Sequence, residues 1–312
     1  MYRKIFMTGG TGFVGTNLCD CLKYEYEIIA GDSAMCNLMD KTEVDNFISC
    51  IRPDCIIHLA ATCGGIGANM ASPGRFMNDN LTMGLNLINA AKDAGCVEKF
   101  VMMGTICAYP KFTPVPFEEK DMWRGYPEET NAPYGIAKKT LTELLIAYNK
   151  EYGMESVNLY PTNMFGPHDD FDPSTSHVIP AIILKVYDAI RAGKDEIELW
   201  GAGSATRDFL YVDDCCRAVK LALKADPGPE PINIGTGVEM SIKTLTETIC
   251  TLMQFDGKLL WDASKPDGQP RRCVSSKRAK KLLGYEAKTT IVNGLRTTID
   301  WFLNNDNNRV EK

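Results

Sequence analysis

Near-continuous apolar runs separated by helix-length stretches set the texture of the first half of the chain. Runs at 4–7, 27–30, 55–60 and 99–103 lack the alternation of a half-exposed strand, so they predict strands buried on both faces. Each is followed by a segment long enough for a helix, which predicts right-handed βαβ units. The fold class expected is α/β, a doubly wound parallel sheet with a smaller C-terminal lobe. Residues 131–151 predict a long helix: Ala132 and Pro133 open it, Leu141, Leu144, Leu145 and Tyr148 follow at helical spacing, and Gly153 ends it. Beyond residue 161 the texture changes. Residues 161–180 are dense in Pro, Asn, Asp and Ser, which predicts loops shaping a pocket. Strand and helix patterns return at 207–211, 213–224, 231–234 and 242–255. The expected division is a core of residues 1–160 with 206–235, and a lobe of residues 161–205 with 236–312. No internal repeat or low-complexity tract interrupts it.

Composition narrows the partners. The 312 residues are 45% hydrophobic and 24% charged, ordinary for a globular chain with ample core. A net charge of -6 and a pI near 5.3 argue against nucleic acid or an anionic membrane as partner. A phosphorylated small ligand remains compatible, since a few local cations and helix N-termini suffice to hold it. The first eight residues run into a strand pattern without an apolar leader, and no later stretch reaches membrane-spanning length. Twelve cysteines are scattered, several inside apolar runs (Cys19, Cys55, Cys250). That distribution predicts free thiols in a reducing cytosol. There is no CxxC pair and there are three histidines, His58, His168 and His177, so no metal site is expected.

Candidate chemistry begins at GGTGFVG, residues 9–15, between the first strand and a helix. Gly9, Gly12 and Gly15 permit a tight turn, close approach of a pyrophosphate and close helix–strand packing. The pattern is weak alone and strong in that position, and it predicts an NAD(P)(H) cofactor. Asp32 follows the second strand, where a carboxylate would accept from an unmodified ribose and repel a 2′-phosphate. No Arg or Lys stands in the turn or at 31–37, which leans the expectation toward NAD(H). Tyr134 and Lys138 lie four apart on the predicted helix and face one side. A neighbouring ammonium and the cofactor's positive charge are expected to lower the phenol's pKa and make it a proton donor. Thr105, past the fourth strand, donates toward the same substrate oxygen. The three residues predict carbonyl–alcohol redox chemistry.

The glycine turn, Thr105 and Tyr134-x-x-x-Lys138 resemble the extended short-chain dehydrogenase/reductase family, Rossmann-fold enzymes of sugar nucleotides. Seven blocks in order sharpen this: HLAATCGGIGAN (58–69), GTICAYPK (104–111), NAPYGIAKK (131–139), PTNMFGPHDDFDPSTSHVIPA (161–181), WGAGSATRDFLYVDD (200–214), INIGTG (232–237) and KPDGQPRR (265–272). They are similar to the GDP-L-fucose synthase branch, a 3,5-epimerase and 4-reductase acting on GDP-4-keto-6-deoxy-D-mannose. The resemblance implies that Cys107 is the base and His177 the acid of epimerisation, with Tyr134, Lys138 and Thr105 serving reduction. It implies cofactor contacts from Phe13, Val14, Leu59, Ala60, Ala61, Pro161, Asn163, Met164 and His177. It implies a GDP-sugar held by Asn163, Val178, Lys185, Trp200, Arg207, Asp267 and Arg271, with Arg272 and Lys185 lesser candidates. His58 is expected to pack beneath the cofactor, and His168 is left unassigned. A homodimer through core helices and a cytoplasmic location are implied as well.

Two departures stand out. Thr11 and the run 32–34 replace the basic residues that read an NADP phosphate in typical members. Ile106 stands where the family often has Ser. Other readings stay open on these residues: an epimerase or 4-reductase for another GDP-sugar, such as a dideoxyhexose or a heptose; an epimerase cycling tightly held NAD without net reduction; and a silent dinucleotide sensor.

Overall fold

The computed structural model describes residues 3–265 and 268–310. In chain order the elements are β1 (Lys4–Thr8), α1 (Phe13–Leu22), β2 (Glu27–Gly31), α2 (Lys41–Ile51), β3 (Cys55–His58), α3 (Ile66–Ala71), α4 (Pro73–Ala94), β4 (Lys99–Met103), α5 (Ala132–Tyr152) and β5 (Ser156–Pro161). They continue as β6 (Asn163–Phe165), α6 (Val178–Arg191), β7 (Glu196–Trp200), β8 (Thr206–Tyr211), α7 (Val212–Lys224), β9 (Ile232–Ile234) and β10 (Glu239–Ser241). The chain ends with α8 (Ile242–Met253), β11 (Lys258–Asp262), β12 (Arg271–Arg272), α9 (Lys277–Leu283) and α10 (Ile291–Val310).

The large sheet has six parallel strands in the order β2-β1-β3-β4-β5-β9. Strand order reverses between β1 and β3, the switch point of a doubly wound fold, where a crevice opens at the carboxyl ends. The apolar runs form these strands because both faces are covered: β3, β4 and β5 are buried at every residue. One face packs on α1, α7 and α9 through Leu18, Leu22, Val219 and Leu283. The other packs on α2, α4 and α5 through Val44, Leu87, Leu141 and Leu145.

A second core lies in the lobe, where Ile182, Val186, Leu245, Ile249 and Leu295 gather from α6, α8 and α10. Strand β8 is shared. It pairs with β6, β10 and β12 in a smaller sheet rather than with the large one. Its Leu210 packs in the first core while Phe209 and Tyr211 pack in the second.

Sequence and structure part at the ends of elements. The third run predicts a strand to residue 60, but β3 stops at His58, and Leu59 to Ala61 turn into the crevice. Residues 161–180 are not loop throughout. They hold β6 and the start of α6, hidden because a three-residue strand has no readable period. The helix expected to residue 255 stops at Met253, where Gln254 takes φ 58. The long helix is as read, with Asn131 at its N-cap and Gly153 at φ 70 closing it.

Candidate active site

One cavity of about 1120 Å³ follows the carboxyl edge of the large sheet and continues under the lobe. Its first wall is the glycine turn. A Cβ on Gly9, which has φ +67, would stand 2.8 Å from the Ala60 nitrogen, and one on Gly15 would stand 2.2 Å from the Gly9 carbonyl oxygen. Only glycine lets α1 sit this close. Gly12 caps α1 without a side-chain bond, so the helix presents its first N–H groups to the cavity beside Phe13 and Val14. Unsatisfied N–H groups and the positive end of the helix dipole suit a pyrophosphate there. The turn thus fits a dinucleotide.

Thr8 fixes the next segment. Its hydroxyl bonds His58 Nδ1 at 2.8 Å and accepts from the Ala60 N–H at 3.2 Å, which lays Leu59, Ala60 and Ala61 along the cavity. His58 is fully buried, and burial holds its pKa well below the usual imidazole range, helped by the charge of Lys138. It is a neutral structural histidine. His168 has φ 67 and packs its ring 4.9 Å from that of Trp301.

At the end of β4 the chain enters a 3-10 turn over Ile106–Ala108, capped by the Thr105 hydroxyl accepting from the Cys107 N–H at 3.2 Å. Helix α5 packs directly on this turn. A Cβ on Gly135 would lie 2.2 Å from the Cys107 carbonyl oxygen, so the glycine after Tyr134 is what lets phenol and thiol share one site. Thr105 and Tyr134 both border the cavity here.

The electrostatics differ from the sequence expectation. Burial is the largest influence on Tyr134 and raises its pKa well above the ordinary value, with the nearby Thr105 hydroxyl opposing it. The expected lowering by Lys138 is not among the influences on it. Lys138 is itself buried, and desolvation pulls it down to about 8.

His177 is the N-cap of α6, on a loop held by the Gly65 N–H bonding the Thr175 carbonyl at 3.0 Å. The ring borders the cavity and is accessible from it, yet surrounding protein atoms lower its pKa, with Asp170 pulling weakly the other way.

Pro161, Asn163, Met164, Asp32, Val178, Lys185, Trp200 and Arg207 also border the cavity. Asn163 is fixed by donating to the Asp208 carbonyl at 3.0 Å. Lys185 donates to the Glu198 carbonyl at 2.8 Å, and Arg207 Nη1 to the Thr206 carbonyl at 2.8 Å. Asp32 accepts from the Ala34 and Met35 N–H groups, each at 3.0 Å, so it shapes the turn after β2 as well as facing the cavity.

Arg271 is a correction. It is absent from the cavity wall and pairs on the surface with Glu239. Its neighbour Arg272 enters instead, because successive residues of β12 point to opposite faces. Arg272 Nη1 lies 3.5 Å from Cys107 Sγ. Asp267 falls outside the described residues. Sequence reading missed Gln269 and Cys63, both in the wall, for want of a motif that marks them. Among the described residues no cluster of metal-ligating side chains occurs, and no helix is long and apolar enough to cross a membrane. The twelve cysteines are free.

A doubly wound sheet with a glycine turn at its first strand, and Thr105, Tyr134 and Lys138 at its carboxyl edge, defines the class of NAD(P)-dependent epimerases and reductases. The chain belongs to the NAD dependent epimerase/dehydratase family, whose sequence profile matches residues 5–235. It is 38% identical to the GDP-L-fucose synthase of Sinorhizobium fredii, over 97% of this chain and 96% of that one. It is 34% identical to the GDP-L-colitose synthase of Yersinia pseudotuberculosis, over 98% and 99% of the two chains. Among solved structures, a GDP-L-fucose synthetase from Naegleria fowleri bound to NADP superposes with a TM-score of 0.87, at 29% identity over 98% and 95% of the chains.

Proposed function

We propose that the protein converts GDP-4-keto-6-deoxy-D-mannose to GDP-L-fucose by epimerisation at C3 and C5 and reduction at C4. The carrying observation is that Cys107, His177, Thr105, Tyr134 and Lys138 border one cavity in a chain related over nearly its full length to GDP-L-fucose synthases.

The ketone at C4 acidifies the hydrogens on C3 and C5, since loss of either gives an enolate. Cys107 takes the proton from one face and His177 returns one from the other. Thr105 and Tyr134 hold the enolate oxygen at C4, a contribution of about 3 kcal/mol per donor in comparable sites. A bound reduced nicotinamide supplies the hydride that C4 requires. Tyr134 gives its proton to the resulting alkoxide. Its raised pKa keeps the phenol protonated until then, and Lys138, an ammonium below about pH 8, holds a positive charge nearby. The lowered pKa of His177 makes its imidazolium the stronger acid, on a smaller protonated population.

Arg207, Lys185, Trp200, Asn163 and Val178 hold the nucleotide sugar, the buried guanidinium of Arg207 meeting the diphosphate. NAD(H) is the favoured cofactor: of the cavity's cations, Lys138, Lys185, Arg207 and Arg272, none stands at the 31–39 end beside Asp32. The division into a core of 1–160 with 206–235 and a lobe of 161–205 with 236–312 belongs to this reading, as does a cytoplasmic homodimer. Exposed Met77 and Leu85 on α4 support an interface along the core helices.

A related GDP-sugar is the second reading. It is favoured by Ile106, buried in the cavity wall where a hydroxyl is common in the family, and by the similarity to GDP-L-colitose synthase.

The test is solvent deuterium incorporation at C3 and C5 of the keto-sugar. Cys107→Ser should lower it by about 10²–10⁴-fold, the usual worth of a positioned base. Wild-type exchange in that variant would remove the thiol from its role.

A further inference from the structure

Arg272 and Gln269 are among the most buried polar residues of the cavity wall, 8% and 3% exposed. The guanidinium is anchored from behind: its Nε donates to Gln269 Oε1 at 2.8 Å. The Gln269 amide in turn donates to the carbonyls of Lys111 at 2.7 Å and Pro110 at 3.4 Å, on the segment that continues the Cys107 turn. So held, the planar fork has little freedom, and its Nη1 rests 3.5 Å from Cys107 Sγ. A desolvated cation in contact with a sulfur favours the thiolate, the form that accepts a proton.

We infer that Arg272 is the counter-ion of the Cys107 thiolate, a positioning residue that keeps the epimerisation base in its reactive form. This rests on the reading of Cys107 as that base.

The other groups around the pair do not compete for the role. Tyr134, from α5, is a phenol that burial keeps neutral. Glu128 lies within electrostatic reach of Arg272. Its carboxylate already accepts from Thr130 Oγ1 at 2.5 Å and Asn131 Nδ2 at 2.9 Å.

The proton count closes. The thiolate gains one proton from carbon, His177 loses one to the opposite face of that carbon, and both recharge from solvent before the second centre reacts. A lysine at 272 would keep the charge but lose the Nε–H that Arg272 donates to Gln269.

The test uses the full-length protein. The rate of Cys107 alkylation by iodoacetamide and the rate of C3/C5 deuterium exchange are measured against pH, with Cys107→Ser as the alkylation blank. In Arg272→Gln both profiles should move to higher pH by about one unit, and exchange at neutral pH should fall about tenfold or more, with KM for the GDP-sugar little changed. Arg272→Lys should restore most of the shift. Gln269→Leu, which frees the fork without touching the thiol, should move both profiles the same way by less.

Unshifted profiles with a raised KM would overturn the inference and make Arg272 a diphosphate ligand beside Arg207, its partner in register. Normal exchange in Cys107→Ser is a different failure. It would sink the base assignment, while the alkylation profile would still report whether the guanidinium and thiol are paired.

Discussion

Asp169 lies four residues past the end of β6, between His168 and Asp170, and is 7% exposed. Its Oδ1 accepts from the Asp170 N–H at 2.8 Å, while Oδ2 is buried with no hydrogen-bond partner among the described residues. Burial raises its pKa to about 7. Between about pH 4 and pH 7 the folded chain therefore binds more protons at this site than the unfolded chain, and stability falls as pH rises through that window. Asp169→Asn removes the penalty. Its stability relative to the parent should be level below about pH 4, climb through neutrality, and gain up to about 4 kcal/mol above pH 7. Denaturation at pH 5 and pH 8 checks this; an offset independent of pH would refute it. The same scale shows where the sequence is mute. Nothing in the pair Arg271–Arg272 tells which guanidinium faces the cavity, because a two-residue strand carries no pattern, and the pleat alone decides.

Among elements, the contact of α5 with the Ile106–Ala108 turn does most to assemble the site. Helix α5 was legible from its apolar spacing, its proline and its closing glycine, and Tyr134 and Lys138 came with it. The turn was legible only as the residues after a strand. That the two touch was not, since the deciding feature is the missing Cβ of Gly135 against the Cys107 carbonyl. Gly135→Ala should force them apart, costing about 1–3 kcal/mol as overpacking does, and should lower both exchange and reduction by about tenfold or more, because misplacing reacting groups by an ångström is expensive. Thermal melting and both assays would show it. An alanine variant with unaltered rates would mean that the helix and turn are not held in this geometry. The loops at 161–180 were read from composition as pocket-forming, and they do border the cavity. Their composition concealed β6 and α6, whose first residue, Val178, follows His177.

The whole molecule is a large sheet whose carboxyl edge and a smaller lobe enclose one continuous cavity. Of the six strands in the large sheet, β1 to β4 and β9 were legible as apolar runs or strand patterns, whereas β5, at Ser156–Pro161 between the long helix and the change of texture, was not read. The lobe was not legible, because β7, β10, β11 and β12 are short or half-exposed, and their pairing depends on partners far away in the chain. At this scale the account makes one demand: a thiol, an imidazole and a phenol must act in turn on the same sugar. Incubation with GDP-4-keto-6-deoxy-D-mannose in deuterated water, with NADH or NADPH, followed by NMR of the product, tests it directly. The account predicts GDP-L-fucose carrying deuterium at C3 and C5 and the cofactor's hydrogen at C4. A reduced sugar that keeps its original configuration at C3 and C5, without deuterium there, would contradict it.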